Sequence, residues 1–272
     1  MAPVNDRPRI MSSCYTGRAV NGESFIAEHA LAFQISGSLK VYDGNEDKVF
    51  TEGAFRLSIR NKLAKFVKIP PPNGEYKSLS IAFDRETLMK VAQKYNLAAV
   101  EKVQALPVIE LRNHRFLSNF VDSLTPYLPF SAEKNDPFVQ IKLEEALLVI
   151  LKVHPELKNV LFDFSEPGKI DLQAFMEQNY MFNLKIPRFA YLTGRSLSAF
   201  KRDFEKNYNI VPSRWLLQKR LNEAYFLIKE KNKKSSEVYV EVGFEDLSHF
   251  SYVFKKQFGF PPSELAQQNI SR

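Results

Sequence analysis

Residues 235–262 read SSEVYVEVGFEDLSHFSYVFKKQFGFPP. The spacing predicts a short helix, a tight turn at Gly243 and a second helix that Gly259-Phe260-Pro261-Pro262 stops. Val238, Val242, Phe244, Phe250, Phe254 and Phe258 carry the core pattern. Asp246 or Ser248 can cap the second helix. Leu247, Ser248, Ser251 and Tyr252 then fall on its exposed side, with Lys255 and Lys256 beyond them. A short helix, a Gly turn and a basic amphipathic second helix is what a reader of the DNA major groove requires.

The pattern occurs twice. About fifty residues upstream, Ile186-Pro187 starts a short helix in which Phe189, Ala190 and Leu192 face inward, and Gly194 supplies the turn. Ser196 is the expected N-cap of a helix over LSAFKRDFEKN. Phe200 and Phe204 point to the core, leaving Ser198, Lys201, Arg202 and Glu205 on the opposite face. A small hydroxyl beside Lys and Arg suits base edges and phosphates, although a solvated helix face would look the same. A long helix from Pro212-Ser213 to Ile228 joins the two units, with Trp215 read as core, and ends in the basic stretch Lys229–Lys234. Two reading helices about 34 Å apart would enter successive major grooves on one face of DNA.

Charge is distributed accordingly. The 272 residues carry a net +7, and residues 168–272 hold 17 Lys and Arg against 11 Asp and Glu, a net of +6. A segment so biased looks for a polyanion, while charge alone would also describe a basic soluble surface. With 44% hydrophobic and 13% aromatic residues, the chain can build real cores. A single cysteine, Cys14, excludes an internal disulfide and reads as a free thiol in a reducing cytoplasm. The polar N-terminus MAPVNDRPRI has no signal-peptide core, and no apolar run reaches membrane-spanning length, so a cytoplasmic location is expected.

The expected fold class is α+β. Residues 1–83 read as a β-rich barrel or sandwich of short strands with turns at Ser36-Gly37-Ser38, Asp43-Gly44-Asn45, Arg60-Asn61 and Pro70–Gly74. Asp43-Gly44 between LKVY and KVF signals a hairpin. Residues 84–165 read as helical: one helix capped by Asp84 and running through Tyr95, one from Pro107 to Leu128, and one opened by Asp136-Pro137. Leu117, Phe120, Val121 and Leu124 on the second helix either cover the barrel or form a dimer seam. Phe25, Leu31, Phe33, Ile35, Phe55, Leu57 and Ile59 alternate on one strand face and suggest a barrel filled by its own side chains, which favours a protein effector or none. Ser165–Gly168 is polar and helix-breaking and marks the boundary between domains 1–165 and 168–272.

LTGRSLSAFKRDFEKNYNIVPSRWLLQKRLNEA and VYVEVGFEDLSHFSYVFKKQFGFPPSEL resemble the DNA-binding domain of the AraC/XylS family of bacterial transcription regulators. Gly243-Phe244, Phe250, Phe254-Lys255-Lys256, Phe258-Gly259 and Pro262-Ser263 match that family's signature. The resemblance implies binding to asymmetric promoter sites and activation by contact with RNA polymerase. It places DNA contacts on Ser198, Lys201 and Arg202, with Arg195 and Ser196 close by, and on Leu247, Ser248, Ser251 and Tyr252 followed by Lys255 and Lys256. Some relatives carry Arg where Tyr252 stands, so the second unit reads either bases or only phosphates. EHALAFQISGSLKVYDG, EGAFRLSIRNKLAKF and YKSLSIAFDRETL are similar to the cupin-like regulatory domain of the ExsA-like subgroup. That implies control by a partner protein or a small effector, and dimerisation through the helices after the barrel.

Cupin enzymes hold a metal through clustered His and Glu. The histidines here are His29, His114, His154 and His249, and only His29 lies in the barrel, beside Glu28. Neighbours in a strand point to opposite faces and chelate poorly together. His249 reads as a helix-surface or phosphate-facing group. No Ser-His-Asp order, Gly-rich phosphate loop or HExxH motif occurs. No cofactor and no catalysis are expected, and the alternative is a cupin-type ligand-binding protein or enzyme with a basic accessory domain.

Overall fold

The computed structural model describes residues 9–20, 24–124, 126 and 136–265. The polar N-terminal stretch up to residue 8 and the end of the helix expected to reach Leu128 lie outside them. The chain forms two compact units that divide between Ser165 and Glu166, the second also including Ser24 and Phe25.

In the first unit the strands are β1 (Ile10–Tyr15), β2 (Ala19–Val20), β3 (Phe25–Ile26, whose Phe25 belongs to the second unit), β4 (His29–Ser36), β5 (Ser38–Tyr42) and β6 (Asp47–Phe50). They continue with β7 (Phe55–Ser58), β8 (Lys62–Leu63), β9 (Lys65–Ile69), β10 (Tyr76–Phe83) and β11 (Val108–Leu111). A five-stranded sheet runs in the order β1-β10-β4-β7-β11 and a four-stranded sheet in the order β2-β9-β5-β6. The β5–β6 hairpin turns where Asp43-Gly44 predicts, with Tyr42 opposite Asp47 and the Asp43 carboxylate accepting the Asn45 and Glu46 N–H groups.

The helices of this unit are α1 (Arg85–Tyr95), α2 (Arg115–Leu124), α3 (Pro137–Val153) and the single turn α4 (Lys158–Leu161). Asp84 caps α1 by accepting from the Thr87 N–H at 2.8 Å, and Asp136 caps α3 by accepting from the Phe138 N–H at 2.8 Å. The helix expected from Pro107 begins later. Residues 108–111 instead form β11, because Ile109 and Leu111 lie on one face and Val108 and Glu110 on the other, and pairing with β7 satisfies their backbone.

The helical layer packs on the five-stranded sheet and takes up the apolar stripe of α2. Leu117, Phe120 and Leu124 are buried in this core with Leu143, Leu147 and Ile150, and Val121 packs against it. Of the two readings of α2, its stripe covers the sheet, with Leu117, Phe120 and Leu124 buried in the core and Val121 half-buried at its edge. Burial of each large apolar side chain contributes about 1.5–3 kcal/mol.

The sheet faces also correct the expected barrel filling. Leu31, Phe33, Phe55, Leu57 and Ile59 point towards the helices, Ile35 is exposed, and Phe25 packs in the second unit against Tyr191. Cross-strand register places Ala32 opposite Arg56, and Ser78 opposite Gln34, on the other face. There the buried Arg56 guanidinium donates to Gln34 Oε1 at 3.1 Å, beside Tyr76 and the apolar residues Leu39, Val41 and Phe50. Alternation identifies one face of a strand without saying which layer covers it.

Candidate nucleic-acid interface

The second unit contains α5 (Leu172–Asn179), α6 (Ile186–Leu192), α7 (Leu197–Tyr208), α8 (Pro212–Lys229), α9 (Ser235–Glu241) and α10 (Leu247–Phe258). Helices α6–α7 and α9–α10 are the two helix-turn-helix units. Pro187 sits in the first turn of α6, where its missing N–H costs no helix bond. Thr193 is fully buried and its hydroxyl donates to the carbonyls of Phe189 and Ala190, closing the helix. Gly194 then turns the chain at φ +65° against the backbone of Gly168 and Lys169. Gly168, the last residue of the expected linker, and Lys169 are thus docked on the first turn. Ser196 caps α7 by accepting from the Ala199 N–H at 3.3 Å. Asp246, one of the two expected caps, accepts from the His249 N–H at 2.6 Å and starts α10.

Both reading helices are held by aromatic cores. Phe200 and Phe204 are fully buried, and Phe204 meets Trp215 of α8 edge-on at 5.5 Å between ring centroids. Trp215 is core, as its sequence context predicts. In the second unit Phe250 and Phe254 are fully buried among Val238, Val242, Phe244 and Leu265. Leu221, Ala224, Leu227 and Ile228 of α8 complete that core. The 18-residue α8 therefore serves the first unit near its start and the second along its remaining turns, over about 27 Å.

The opposite faces carry the candidate contact residues. On α7, Ser198, Lys201 and Arg202 are exposed, and the Arg202 side chain is 78% accessible with only a long 3.8 Å approach to Asp203. On α10, Leu247, Ser248, Tyr252, Lys255 and Lys256 are exposed, Tyr252 at 66%. His249 is exposed at the start of α10, with its ring 5.9 Å from that of Phe244. Each of these helices has 12 residues, about 18 Å of length, and an α-helix of about 10–12 Å diameter fits a major groove about 12 Å wide.

Two predicted contact residues are engaged within the protein. The Arg195 side chain is 9% accessible and donates to Asp203 Oδ2 at 3.2 Å and to the carbonyls of Ile170 and Thr193 at 2.9 and 2.7 Å. It ties the start of α7 to the preceding turn and to residue 170. The Ser251 hydroxyl donates back to the Leu247 carbonyl at 2.8 Å and is only half-exposed.

One residue escapes the sequence reading. Arg220 lies within the apolar stripe of α8, between Leu216 and Ala224, and its guanidinium is largely buried. Burial lowers its pKa to about 10. Nε donates to the Tyr180 carbonyl at 2.8 Å, Nη1 to Gly243 at 3.1 Å and Nη2 to Phe182 at 2.7 Å. A charge at a core position of a helix was the available signal.

In the first unit Glu28 lies just before β4 and binds Arg9, while the buried His29 at the start of β4 accepts from the Arg60 N–H, so the adjacent pair is engaged by different partners. Among the described residues no three His, Cys, Asp or Glu side chains converge as metal ligands. No described helix is long and apolar enough to cross a membrane.

Two helix-turn-helix units sharing one long helix, following in sequence a sheet-rich unit with its own helical layer, define a class of two-part DNA-binding regulators. Helix-turn-helix domain sequences match residues 189–268, and the ExsA N-terminal regulatory domain matches residues 29–160. Both parts of the chain thus match domains of AraC-type transcription regulators. It is 30% identical over 130 residues to the HTH-type transcriptional regulator ExsA of Pseudomonas aeruginosa, spanning 47% of this chain and 46% of that one. It is 33% identical over 134 residues to the virulence regulon transcriptional activator VirF of Yersinia enterocolitica, spanning 48% and 49%. The matches thus cover about half the length of these curated relatives. Among solved structures, apo ToxT K231A of Vibrio cholerae aligns over 96% of this chain and 98% of its own, at 12% identity and a TM-score of 0.48.

Proposed function

We propose that this chain is a sequence-specific transcription activator that docks α7 and α10 in adjacent major grooves of promoter DNA. The observation that carries this reading is the shared helix α8 presenting two capped, 12-residue helices with exposed Ser198, Lys201 and Arg202 on one and Ser248, Tyr252, Lys255 and Lys256 on the other. Arg202 reads a base edge, and the lysines neutralise phosphates. Tyr252 supplies a hydroxyl and a ring where an Arg would supply a bidentate fork, so α10 contributes less base discrimination than α7. RNA polymerase is the downstream partner, as the family resemblance suggests.

Residues 1–165 act as the regulatory domain and 168–272 as the DNA-binding domain. The regulatory domain controls access through dimerisation, with a partner protein or an effector acting on it. The surface best suited to a second copy is a groove of about 530 Å³ lined by Phe116, Ile141, Leu148 and Val149, with Lys94, Lys152, Glu144 and Glu145 around it. Both charge signs on one patch allow a two-fold self-complementary contact, and Ile141 is 61% exposed there. Ile141→Glu gives a monomer by analytical ultracentrifugation with the fold retained. An unchanged mass places the interface elsewhere.

The test of DNA reading is selection of fragmented genomic DNA by the full-length protein at about 150 mM salt. Two short sequence blocks about ten base pairs apart are expected. On the selected site, Arg202→Ala costs about 1–3 kcal/mol and relaxes one base position. Lys256→Ala weakens all DNA alike and lowers the log–log salt slope by about 0.9. Equal losses on selected and random DNA for both variants would refute this division of roles.

A further inference from the structure

We infer that Arg220 is a positioning residue that locks the two reading helices at one separation, so that the protein measures the number of base pairs between its two recognition blocks. The inference rests on the two-groove reading above and deepens it.

The guanidinium of Arg220 leaves the middle of α8 and spreads over three carbonyls on two distant segments. Tyr180 and Phe182 belong to the segment that leads from α5 into α6, ahead of the first reading helix. Gly243 belongs to the turn between α9 and α10, ahead of the second. A second tie joins the same two segments, since Asn183 Nδ2 donates to Glu245 Oε1 at 2.6 Å. The two helix-turn-helix units are therefore linked across their turns as well as along α8.

The chemistry selects arginine. Only a planar fork of N–H donors reaches three carbonyls at once, whereas an ammonium is a point donor at the end of a flexible stem. The contacts are to main chain, so they fix backbone position independently of the side chains at 180, 182 and 243. Without the fork, the two heads keep α8, the Asn183–Glu245 contact and the close approach of Gly243 to the Met181 carbonyl, and the charged tie that α8 makes to both segments is lost.

DNA gives this rigidity a readout. Moving one block by one base pair shifts it by about 3.4 Å and turns it by roughly 34° around the axis. Rigid heads pay heavily for that displacement, whereas loosely coupled heads follow it.

The experiment uses the full-length protein and the site selected above, rebuilt with the block separation changed by one and two base pairs in either direction. The wild type is expected to lose about tenfold or more in affinity per base pair away from its optimum. Arg220→Gln and Arg220→Lys are expected to bind the optimum more weakly and to lose less than about threefold on the shifted sites. Arg220→Lys keeps the charge and the apolar stem, which guards against a variant that merely fails to fold. In parallel, spin labels at the exposed positions 206 and 257, in a Cys14→Ser background, report the distance between α7 and α10. The distance distribution broadens in both Arg220 variants. Folded variants that lose affinity by one factor at every spacing, or that keep the narrow distribution, overturn the inference. A wild type indifferent to spacing refutes the two-groove reading instead, and the label distances still decide whether Arg220 clamps.

Discussion

Gly194→Ala should be the most damaging small substitution in the second unit, and the structure supplies a matched control. Gly194 and Gly259 both hold left-handed backbone, at φ +65° and +87°. For alanine that conformation costs about 1–2 kcal/mol in either place. Their surroundings differ. A Cβ on Gly194 would lie 2.3 Å from the Gly168 carbonyl carbon, 2.4 Å from its oxygen and 2.5 Å from the Lys169 nitrogen, whereas a Cβ on Gly259 meets nothing within 4 Å. The obstructing atoms at Gly194 are backbone, so relief requires moving Gly168 and Lys169 off the first turn, which adds about 1–3 kcal/mol of overpacking. The expected loss is about 2–5 kcal/mol for Gly194→Ala and about 1–2 for Gly259→Ala. In a unit of this size each kcal/mol moves the melting temperature by about 4–8 °C. Scanning calorimetry of the full-length variants measures both shifts, with the transition of the second unit identified by its upward shift when DNA is added. Below the lowered transition, Gly194→Ala should still select the same DNA sequence. If it melts no lower than Gly259→Ala, the turn is not packed on Gly168 and Lys169 as described.

Arg195→Ala should destabilise the second unit by about 1–3 kcal/mol by leaving the Ile170 and Thr193 carbonyls without this donor. Its base preferences should be unchanged, and a shifted consensus in a selection experiment would return Arg195 to the reading surface. His29 governs acid stability of the first unit. Burial, and then the nearby Arg60 charge, lower its pKa from 6.5 to about 3, so the unfolded chain takes up a proton below pH 6.5 that the folded chain refuses until about pH 3. This contribution is fully present above pH 6.5 and is lost at about 1.4 kcal/mol per unit as pH falls, roughly 2 kcal/mol by pH 5. Urea titrations from pH 5 to 7 should show that His29→Asn, which keeps an acceptor for the Arg60 N–H, has a flatter pH dependence than the wild type. Parallel curves for the two proteins would show that His29 titrates normally.

What was legible in the sequence is what short-range chemistry decides. Asp84, Asp136, Ser196 and Asp246 each cap the helix expected of them, because a cap needs only a short acceptor side chain and the backbone just after it. The signature around Gly243 and Phe254 was legible for the same reason, since a turn residue and a 3.6-residue period specify a helix-turn-helix locally. Residues 108–111 were misread because four residues cannot distinguish a helical start from a strand until β7 is beside them. The layer facing Leu31, Phe33, Phe55 and Leu57 was misassigned because alternation carries no information about which side the helices will cover.

Arg195 and Arg220 show the deeper limit. By residue type both are DNA-binding candidates in a basic domain, yet they donate to main-chain carbonyls at 170, 180, 182, 193 and 243. Every residue carries a carbonyl, so no choice of side chain announces which one will be left over at a helix end or turn. Only the folded chain shows which carbonyls these are: those of Tyr180, Phe182, Thr193 and Gly243 meet the arginines in part-buried bonds, and that of Ile170 in an exposed one. On the proposed reading, the arginines that meet them are withdrawn from the DNA, the DNA surface is smaller than the basic composition suggests, and the proposal places more of its specificity on Ser198, Lys201 and Arg202 than a count of charges would assign them.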